Sequence, residues 1–177
     1  HYDRDNFDVA ENYLKQAIDR SPEFMDAHRS LNQLYFQTGN DNFLDSYSKA
    51  LVKLPSSELL LHNLAANQAS SGETDQAIDT LKRAISLIGK TAFLNHGLGA
   101  LLVRKGELDK ALPLFNFAIE RDPANVRFIL DRISLDIKMG SQGRSQELIN
   151  RALALQPYNQ ETWAYQGLVW RLNGDAK

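Results

Sequence analysis

One spacing governs what this chain can fold into: short motifs recur at an interval of 34 residues. An alanine followed by Leu or Ile returns near the end of each apolar run, at successive intervals of 33, 34, 34 and 34 residues, as Ala17, Ala50, Ala84, Ala118 and Ala152. A series of glycines keeps the same intervals, as Gly39, Gly72, Gly106, Gly140 and Gly174. Two independent series with one period indicate an array of structural repeats, each a supersecondary unit that stacks on its neighbours.

Each repeat contains two helix-forming stretches. Apolar residues between positions 93 and 102 recur at helical spacing, and Gly106 follows as a helix stop, because glycine accepts the left-handed conformation that closes many helices. A second apolar periodicity runs from Leu108 to Ile119 and ends before Pro123, which cannot continue a helix. The sequence therefore predicts an all-α chain of helix pairs joined by short turns.

The landmarks of these units resemble the tetratricopeptide repeat, which carries Trp-x2-Leu-Gly-x2-Tyr in its first helix, Ala-x3-Phe in its second helix and then Pro. We call these the signature positions. The clearest match, residues 95–123, fills them with Asn95, Leu98, Gly99, Leu102, Ala111, Phe115 and Pro123. Other segments keep the register with His28, Leu31, Tyr35, Phe43, Tyr47, Leu61, Leu64, Ala65, Ala77, Leu81, Trp163, Gly167 and Trp170. The first residues supply a second helix alone, with Ala10, Leu14, Ala17 and Pro22.

This resemblance implies a right-handed superhelical α-solenoid of stacked antiparallel helix pairs, about ten helices in a single array over residues 1–177. The register predicts full repeats at 23–55, 56–89, 90–123 and 124–157. Residues 1–22 would form a half repeat with only its second helix, and residues 158–177 a half repeat with only its first. Arrays normally end in a capping helix with a polar outer face. We therefore expect Trp170 to be at least partly exposed or covered by another copy, and the chain to be part of a longer one.

Composition narrows the function classes. The net charge of −2 argues against a nucleic-acid partner, since domains that bind nucleic acid are usually basic. The sequence has no apolar run long enough for a membrane span and no apolar segment at its start, so we expect no membrane partner, no signal peptide and a cytoplasmic location. A signal peptide already removed remains an open alternative. Cysteine is absent, which excludes disulfides and thiolate chemistry.

No catalytic or cofactor motif emerges from the sequence. It contains no glycine-rich phosphate loop, no nucleophile elbow and no arguable pair of catalytic carboxylates. His1 and Asp3 form a His-x-Asp pair of the kind found in non-haem iron sites, but no second histidine is held near them. We therefore expect a protein that is not an enzyme and that holds neither cofactor nor metal.

The resemblance also implies which side chains face a ligand, because first helices line the concave groove in this family. The candidates for a peptide groove are Arg29, Gln33, Phe36, Leu59, His62, Asn63, Ala66, Phe93, His96, Ala100, Val103, Arg104, Arg127, Lys138, Tyr165 and Arg171. The middle of this set is small and apolar, and cations cluster in its C-terminal part. Such a surface suits an extended or helical peptide with apolar anchors and acidic character.

Two features of the groove have competing interpretations. A chaperone-type carboxylate clamp is imitated by Arg29, Gln33 and Asn63 but fails at Phe93, where the family's clamp requires a cation. His62 and His96 occupy equivalent positions in adjacent repeats, too far apart to share a metal, so we interpret them as groove histidines that make binding mildly pH-dependent.

The fourth full repeat departs from the family pattern. Arg132 and Asp136 stand where Leu and an aromatic are usual, and two unpaired charges there would cost several kcal/mol. One interpretation is a rotated helix that turns Ile129, Ile133 and Ile137 into the core. Another is a buried Arg–Asp pair, which the spacing of four residues permits. A direct role of the two charges in binding a ligand is the remaining alternative.

Three functional hypotheses follow. The first is a non-catalytic scaffold that binds a peptide or partner protein in its groove. The second is an accessory repeat region of a larger enzyme, because residues 161–175 are similar to the segment that joins such arrays to oxygenase or transferase domains in some bacterial proteins. The third is self-association, including a homodimer, through the terminal helices.

Overall fold

Ten α-helices make up the part of the chain that the computed structural model describes: the backbone of residues 2–40, 42 and 44–174, with side chains from residue 6 onward. They are α1 Tyr2–Arg20, α2 Met25–Thr38, α3 Asp45–Lys53, α4 Glu58–Ser70, α5 Thr74–Ile88, α6 Ala92–Lys105, α7 Leu108–Arg121, α8 Val126–Lys138, α9 Ser145–Leu155 and α10 Gln160–Leu172. A short 3-10 helix, Gln142–Arg144, precedes α9. The prediction of an all-α fold built from helices is confirmed.

Side chains and glycines complete the helix ends, where backbone groups lack partners within the helix. Ser57, Thr91 and Asn159 cap α4, α6 and α10, and each accepts a hydrogen bond from a backbone N–H three residues later, at 2.9–3.1 Å. Gly106 closes α6 in the left-handed conformation, with φ of 86°, which confirms its predicted role as a helix stop.

The helices form two compact units, His1–Ile88 and Gly89–Lys177. In the first unit, α1 to α4 share an apolar core in which Leu31, Tyr47 and Leu60 are at most 2% exposed. Helix α5 contributes Ala77 and Leu81, which are buried as well. The core therefore lies between successive helices rather than within any one of them, as expected for stacked helix pairs.

In the second unit, α7 to α10 surround a cluster that includes Ile129, Ile133 and Ile149, all fully buried. The approach of α6 to α7 depends on Gly99. A Cβ atom at this position would lie 2.8 Å from the ring of the buried Phe115, closer than van der Waals contact allows. Gly99 is thus the small partner and Phe115 the large one at the signature positions of this pair.

Two signature positions that carry Trp in the family hold buried polar residues here, and both are hydrogen-bonded. His28 is fully buried, with Nε2 2.8 Å from the Pro22 carbonyl and Nδ1 2.9 Å from the Ser46 hydroxyl. Its ring stacks on Tyr47 at 4.5 Å. Asn95 donates from its amide to the Thr91 carbonyl at 2.8 Å. Each polar side chain therefore keeps the partners that burial demands.

Helix α8 combines the two interpretations that the sequence left open. Ile129 and Ile133 are fully buried and Ile137 packs at the edge of the core, so the isoleucines do face inward. Arg132 and Asp136 are nevertheless only 9% and 2% exposed, and they form an ion pair. The Arg132 guanidinium also donates to Asn116 on α7 at 3.0 Å. The charges are therefore accommodated by pairing, not by turning the helix outward.

The division of the chain into full and half repeats stays a prediction. Phe43, which stands at the Ala position of the second-helix motif in the repeat 23–55, lies outside the described residues.

Candidate functional site

Three first helices of the second unit are joined by a chain of charged and polar groups. His96 on α6 contacts Asp131 on α8, with 2.7 Å between Nε2 and Oδ2. Arg127 donates from Nε to the same Asp131 oxygen at 3.0 Å, and its Nη1 lies 3.9 Å from the Glu161 carboxylate on α10. We call His96, Arg127, Asp131 and Glu161 the polar network. It occupies positions that the family resemblance assigns to the concave face.

The two inner members of the polar network are shielded and the outer ones are open to solvent. The side chains of His96 and Asp131 are 12% and 19% exposed, whereas that of Arg127 is 64% exposed. The imidazole of His96 also packs on Phe128, with 4.5 Å between ring centres, which holds the ring against α8. The His96–Asp131 contact is therefore the fixed part of the network, and the exposed Arg127–Glu161 pair contributes little.

Charge neighbours set the ionisation of this network. Burial alone would raise the pKa of Asp131, but the hydrogen bond from His96 and the positive charge of Arg127 together hold it below its ordinary value. The carboxylate in turn raises the pKa of Arg127, against an opposing effect of burial. Asp131 is thus ionised at neutral pH and accepts from both neighbours.

The other predicted groove residues of this unit differ in exposure. Ala100 is exposed, Val103 and Tyr165 are half-buried, and Phe93 is 38% exposed. Three cations, Arg104, Lys138 and Arg171, are exposed in the last turns of α6, α8 and α10. Within the described residues no carboxylate pairs with any of these three. The same edge of the three first helices therefore presents positive charge beside small apolar side chains.

The predicted groove residues of the first unit lie on α2 and α4. Phe36 is 88% and Leu59 39% exposed. The remaining exposed candidates are Arg29, Gln33 and Ala66, and the half-buried ones are His62 and Asn63. The Arg29 guanidinium donates to Asp26 at 3.0 Å, and the Asn63 amide donates to the Leu59 carbonyl at 2.8 Å. Neither residue is thereby directed across to the neighbouring first helix.

Residues 1–58 match the family model of the tetratricopeptide repeat. The fold of the whole chain agrees with it. The chain is thus similar to tetratricopeptide repeat proteins in the sequence of residues 1–58 and in its fold. No curated protein sequence matches the chain significantly.

Solved structures show the same fold at low sequence identity. A thermophilic tetratricopeptide repeat protein of Thermus thermophilus matches with a TM-score of 0.70 and 18% identity over 96% of this chain and 93% of its own. YrrB, a repeat protein "with an unusual peptide-binding site", gives a TM-score of 0.64 and 18% identity over 94% and 86%. The second repeat domain of human RPAP3, in complex with the HSP70 peptide SGPTIEEVD, gives 0.57 and 16% over 62% and 91%.

Polar residues of successive first helices contact each other in both units, and the sequence did not predict either contact. Asp131 and Glu161 were not among the candidates, although the spacing of four residues from Arg127 to Asp131 is a usable signal. In the first unit, Asn32 donates to Asn67 at 3.2 Å, and Asn67 donates to the Tyr47 hydroxyl at 3.2 Å. Both cross-repeat pairs, Asn32–Asn67 and His96–Asp131, are separated by 35 residues, close to one repeat period.

The described part of this repeat protein offers no site for metal chemistry. Among the described residues, no three His, Asp or Glu side chains converge closely enough to hold a metal ion. The side chains of the His1-x-Asp3 pair lie outside that part. No helix in the described ranges is long and apolar enough to cross a membrane.

Proposed function

We propose that this protein is a non-catalytic protein-binding module whose second unit holds an acidic peptide against α6, α8 and α10. The observation that carries the proposal is the row of exposed cations, Arg104, Lys138 and Arg171, beside the exposed Ala100. A peptide carboxylate that meets an Arg or Lys gains a charge-assisted hydrogen bond. Apolar side chains of the peptide would lie on the small residues of α6.

The polar network supports this proposal by fixing α6 against α8, two of the three helices that carry the cations. Because His96 and Asp131 join α6 to α8 through a shielded contact, the binding face is organised before a ligand arrives. A preorganised face spends less of its binding free energy on ordering its own side chains. Tyr165, which lies near enough to Arg127 to influence its pKa, adds an aromatic side chain to the same face.

Relatives of the same fold lend general support. YrrB is described as having a peptide-binding site, and the human RPAP3 domain is in complex with a peptide that contains two glutamates and an aspartate. The seven candidates on α2 and α4 remain a second face of the proposal, with Phe36 as its most exposed apolar group.

The proposal is tested with a peptide selected from a displayed random library on the purified protein and then labelled for fluorescence anisotropy. Ala100→Glu places a bulky carboxylate that repels an acidic peptide and Lys138→Glu reverses a charge, and each should weaken binding about tenfold, equivalent to about 1.4 kcal/mol. Ala154→Glu, at an exposed alanine of α9, is the matched control and should leave affinity unchanged.

Two further results would distinguish a role in binding from a role in helix stability. Cations in the last turn of a helix also stabilise it through the helix dipole. Urea unfolding of Lys138→Glu should show only a small loss of stability, so a large loss of affinity would then belong to the peptide. Equal affinities for Ala100→Glu, Lys138→Glu and the control would refute the proposed face.

A further inference from the structure

Consecutive second helices of one unit flank the first helix between them, and we call the groove between the two second helices a seam. The described part of the chain has three seams inside its units: α1–α3 over α2, α3–α5 over α4, and α7–α9 over α8. The α3–α5 seam contains a cavity of about 530 Å³, whereas those in the α1–α3 and α7–α9 seams measure about 270 and 260 Å³. The middle seam of the first unit is therefore unusually open.

The larger cavity leaves two apolar signature residues of α4 incompletely covered. Leu61 is half-buried, whereas His28 and Ile129, at the same position in the other two seams, are fully buried. Leu64 is also half-buried, whereas the equivalent Leu31 is 1% exposed. Helices α3 and α5 both lie beside α4, so the exposure of these two leucines comes from the shape of the seam itself.

A cation spans the rim of each of the other two seams. Across the α1–α3 seam, Lys53 donates from Nζ to the Asp19 carboxylate at 2.7 Å and to the Asp19 backbone carbonyl at 2.9 Å. Across the α7–α9 seam, the Arg151 guanidinium donates to the carbonyl of Pro123, which follows α7. In both places a hydrogen-bonded cation connects the second helix to the preceding repeat and occupies the rim.

The α3–α5 seam has neither of these contacts. Val52 and Leu87 stand where the α1–α3 seam carries its ion pair, and they are 84% and 59% exposed. Arg83 stands at the position of Arg151, yet none of the described residues accepts a hydrogen bond from it or pairs with its charge. Arg83 is also the only charged side chain among the described residues that line the cavity. The seam thus combines an apolar rim with one unpaired guanidinium.

We propose that the α3–α5 seam is a binding site for an aliphatic carboxylate of medium chain length. The alkyl chain lies against Leu51, Leu61 and Leu64, and the carboxylate accepts charge-assisted hydrogen bonds from Arg83. The cavity volume falls in the range of about 300–1,000 Å³ that is typical of small-molecule sites. The site belongs to the first unit, whereas the proposed peptide face belongs to the second.

The length of the seam favours a small molecule over a partner helix. Helix α3 has nine residues, so it extends for only about 13 Å. A helix of average length, about 10–14 residues, would project beyond it. The charge of the lining favours an anionic head group, because the described lining contains a cation and no carboxylate.

Isothermal titration calorimetry with sodium hexanoate, octanoate and decanoate tests the apolar part of the site. A methylene group that is fully removed from water strengthens binding about fourfold. In this partly open seam the affinity should therefore rise about two- to fourfold for each added methylene. Amide shifts in nuclear magnetic resonance spectra should concentrate in α3, α4 and α5. An affinity that stays constant along the series would refute the seat for an alkyl chain.

The role of the cation is tested with Arg83→Gln, which should weaken decanoate binding about tenfold and leave the binding of decanol unchanged. Lys82→Gln is the matched control, because Lys82 is an exposed cation on the same helix that does not line the cavity. It should bind decanoate as the wild type does. Equal losses of affinity in the two variants would indicate attraction by the overall charge and overturn the role of Arg83.

A double variant, Val52→Asp with Leu87→Lys, places on this seam the ion pair found across the α1–α3 seam. Both side chains are exposed, so the fold should be retained, and circular dichroism verifies this. Decanoate binding should fall at least tenfold, because the rim becomes polar and the new carboxylate repels the ligand. Val9→Asp with Leu155→Lys makes the same changes at exposed residues of α1 and α9 and should leave the affinity unchanged.

Three outcomes overturn the proposal. The absence of both heat and amide shifts with decanoate at millimolar concentration would exclude the site. Unchanged affinity in the Val52→Asp, Leu87→Lys variant would place the ligand elsewhere. If sedimentation showed a wild-type dimer that Leu87→Lys dissociates and decanoate does not, a second copy of the chain would occupy the seam instead.

Discussion

The same substitution at equivalent positions of two helices should change stability in opposite directions. Gly99 on α6 and Gly167 on α10 occupy one signature position, but Phe115 covers only the first. Replacing either glycine by alanine favours the helix by about 0.5–1 kcal/mol, because the unfolded chain loses conformational freedom. At Gly167 nothing opposes this gain, so Gly167→Ala should raise the free energy of unfolding by that amount.

At Gly99 the new methyl group meets two Phe115 ring atoms at 2.8 and 2.9 Å. The ring is 2% exposed, so it is enclosed by the core. Overpacking of this kind typically costs about 1–3 kcal/mol. After the gain in helix propensity, Gly99→Ala should still lower the free energy of unfolding by about 1 kcal/mol.

A combination of residues found elsewhere in the chain should relieve this clash. In α4 and α5 the corresponding positions hold Ala65 and Leu81, both buried. Adding Phe115→Leu to Gly99→Ala recreates that combination, so the double variant should be more stable than the sum of the two single effects predicts. A double-mutant cycle measures this coupling.

The assay is urea unfolding followed by far-ultraviolet circular dichroism, at a protein concentration where sedimentation shows monomers. Tryptophan emission recorded in the same samples reports α10, because both tryptophans lie in that helix. A stabilised Gly99→Ala, or no coupling with Phe115→Leu, would refute the inference that the Phe115 ring sets the distance between α6 and α7.

Three further predictions concern charges and protons. Burial lowers the pKa of His28, although its hydrogen bond to the Pro22 carbonyl opposes this effect. The folded state therefore resists protonation of the ring, and the free energy of unfolding should fall as the pH drops below about 6.5. His28→Gln should reduce this fall in urea titrations. The pKa of Asp131 is lowered, so its stabilisation should be present above about pH 4 and lost below it, and Asp131→Asn should flatten the acid limb of the same titration. Asp136→Ala should lower the free energy of unfolding by about 3–5 kcal/mol, because it leaves Arg132 buried without its partner. The double variant Arg132→Leu, Asp136→Tyr should recover most of that loss. Equal losses of stability in the two variants would refute the pairing.

The helix content and the helix stops were accessible from sequence because they depend on local properties. Apolar spacing and the left-handed preference of glycine act within a few residues, and the end of α6 at Gly106 follows from them. Whether a buried polar residue at a signature position finds a hydrogen-bond partner depends on residues far along the chain. His28 is satisfied by Ser46, 18 residues away, so nothing in its local sequence reveals why a histidine can replace tryptophan there.

The candidate face was predicted less completely for the same reason. The resemblance assigned His96, Arg127 and Asp131 to one face, but the contacts that make Asp131 the common partner of the other two became evident only from the structure. For Arg132 the sequence predicted the contact but not its surroundings. Its spacing from Asp136 indicated that the two could pair, but not that Ile129 and Ile133 could remain buried at the same time.

Position in the array, more than residue type, decides what is buried in this protein. Arg132, the more polar side chain, is 9% exposed on α8, whereas Trp170 is 50% exposed on α10. Helix α8 packs against both α7 and α9, and its charged pair is covered from two sides. The side of α10 that carries Trp170 has no such cover in the described structure. The exposure of a signature residue therefore depends on which helices pack beside it in the described structure, and hydrophobicity alone does not predict it.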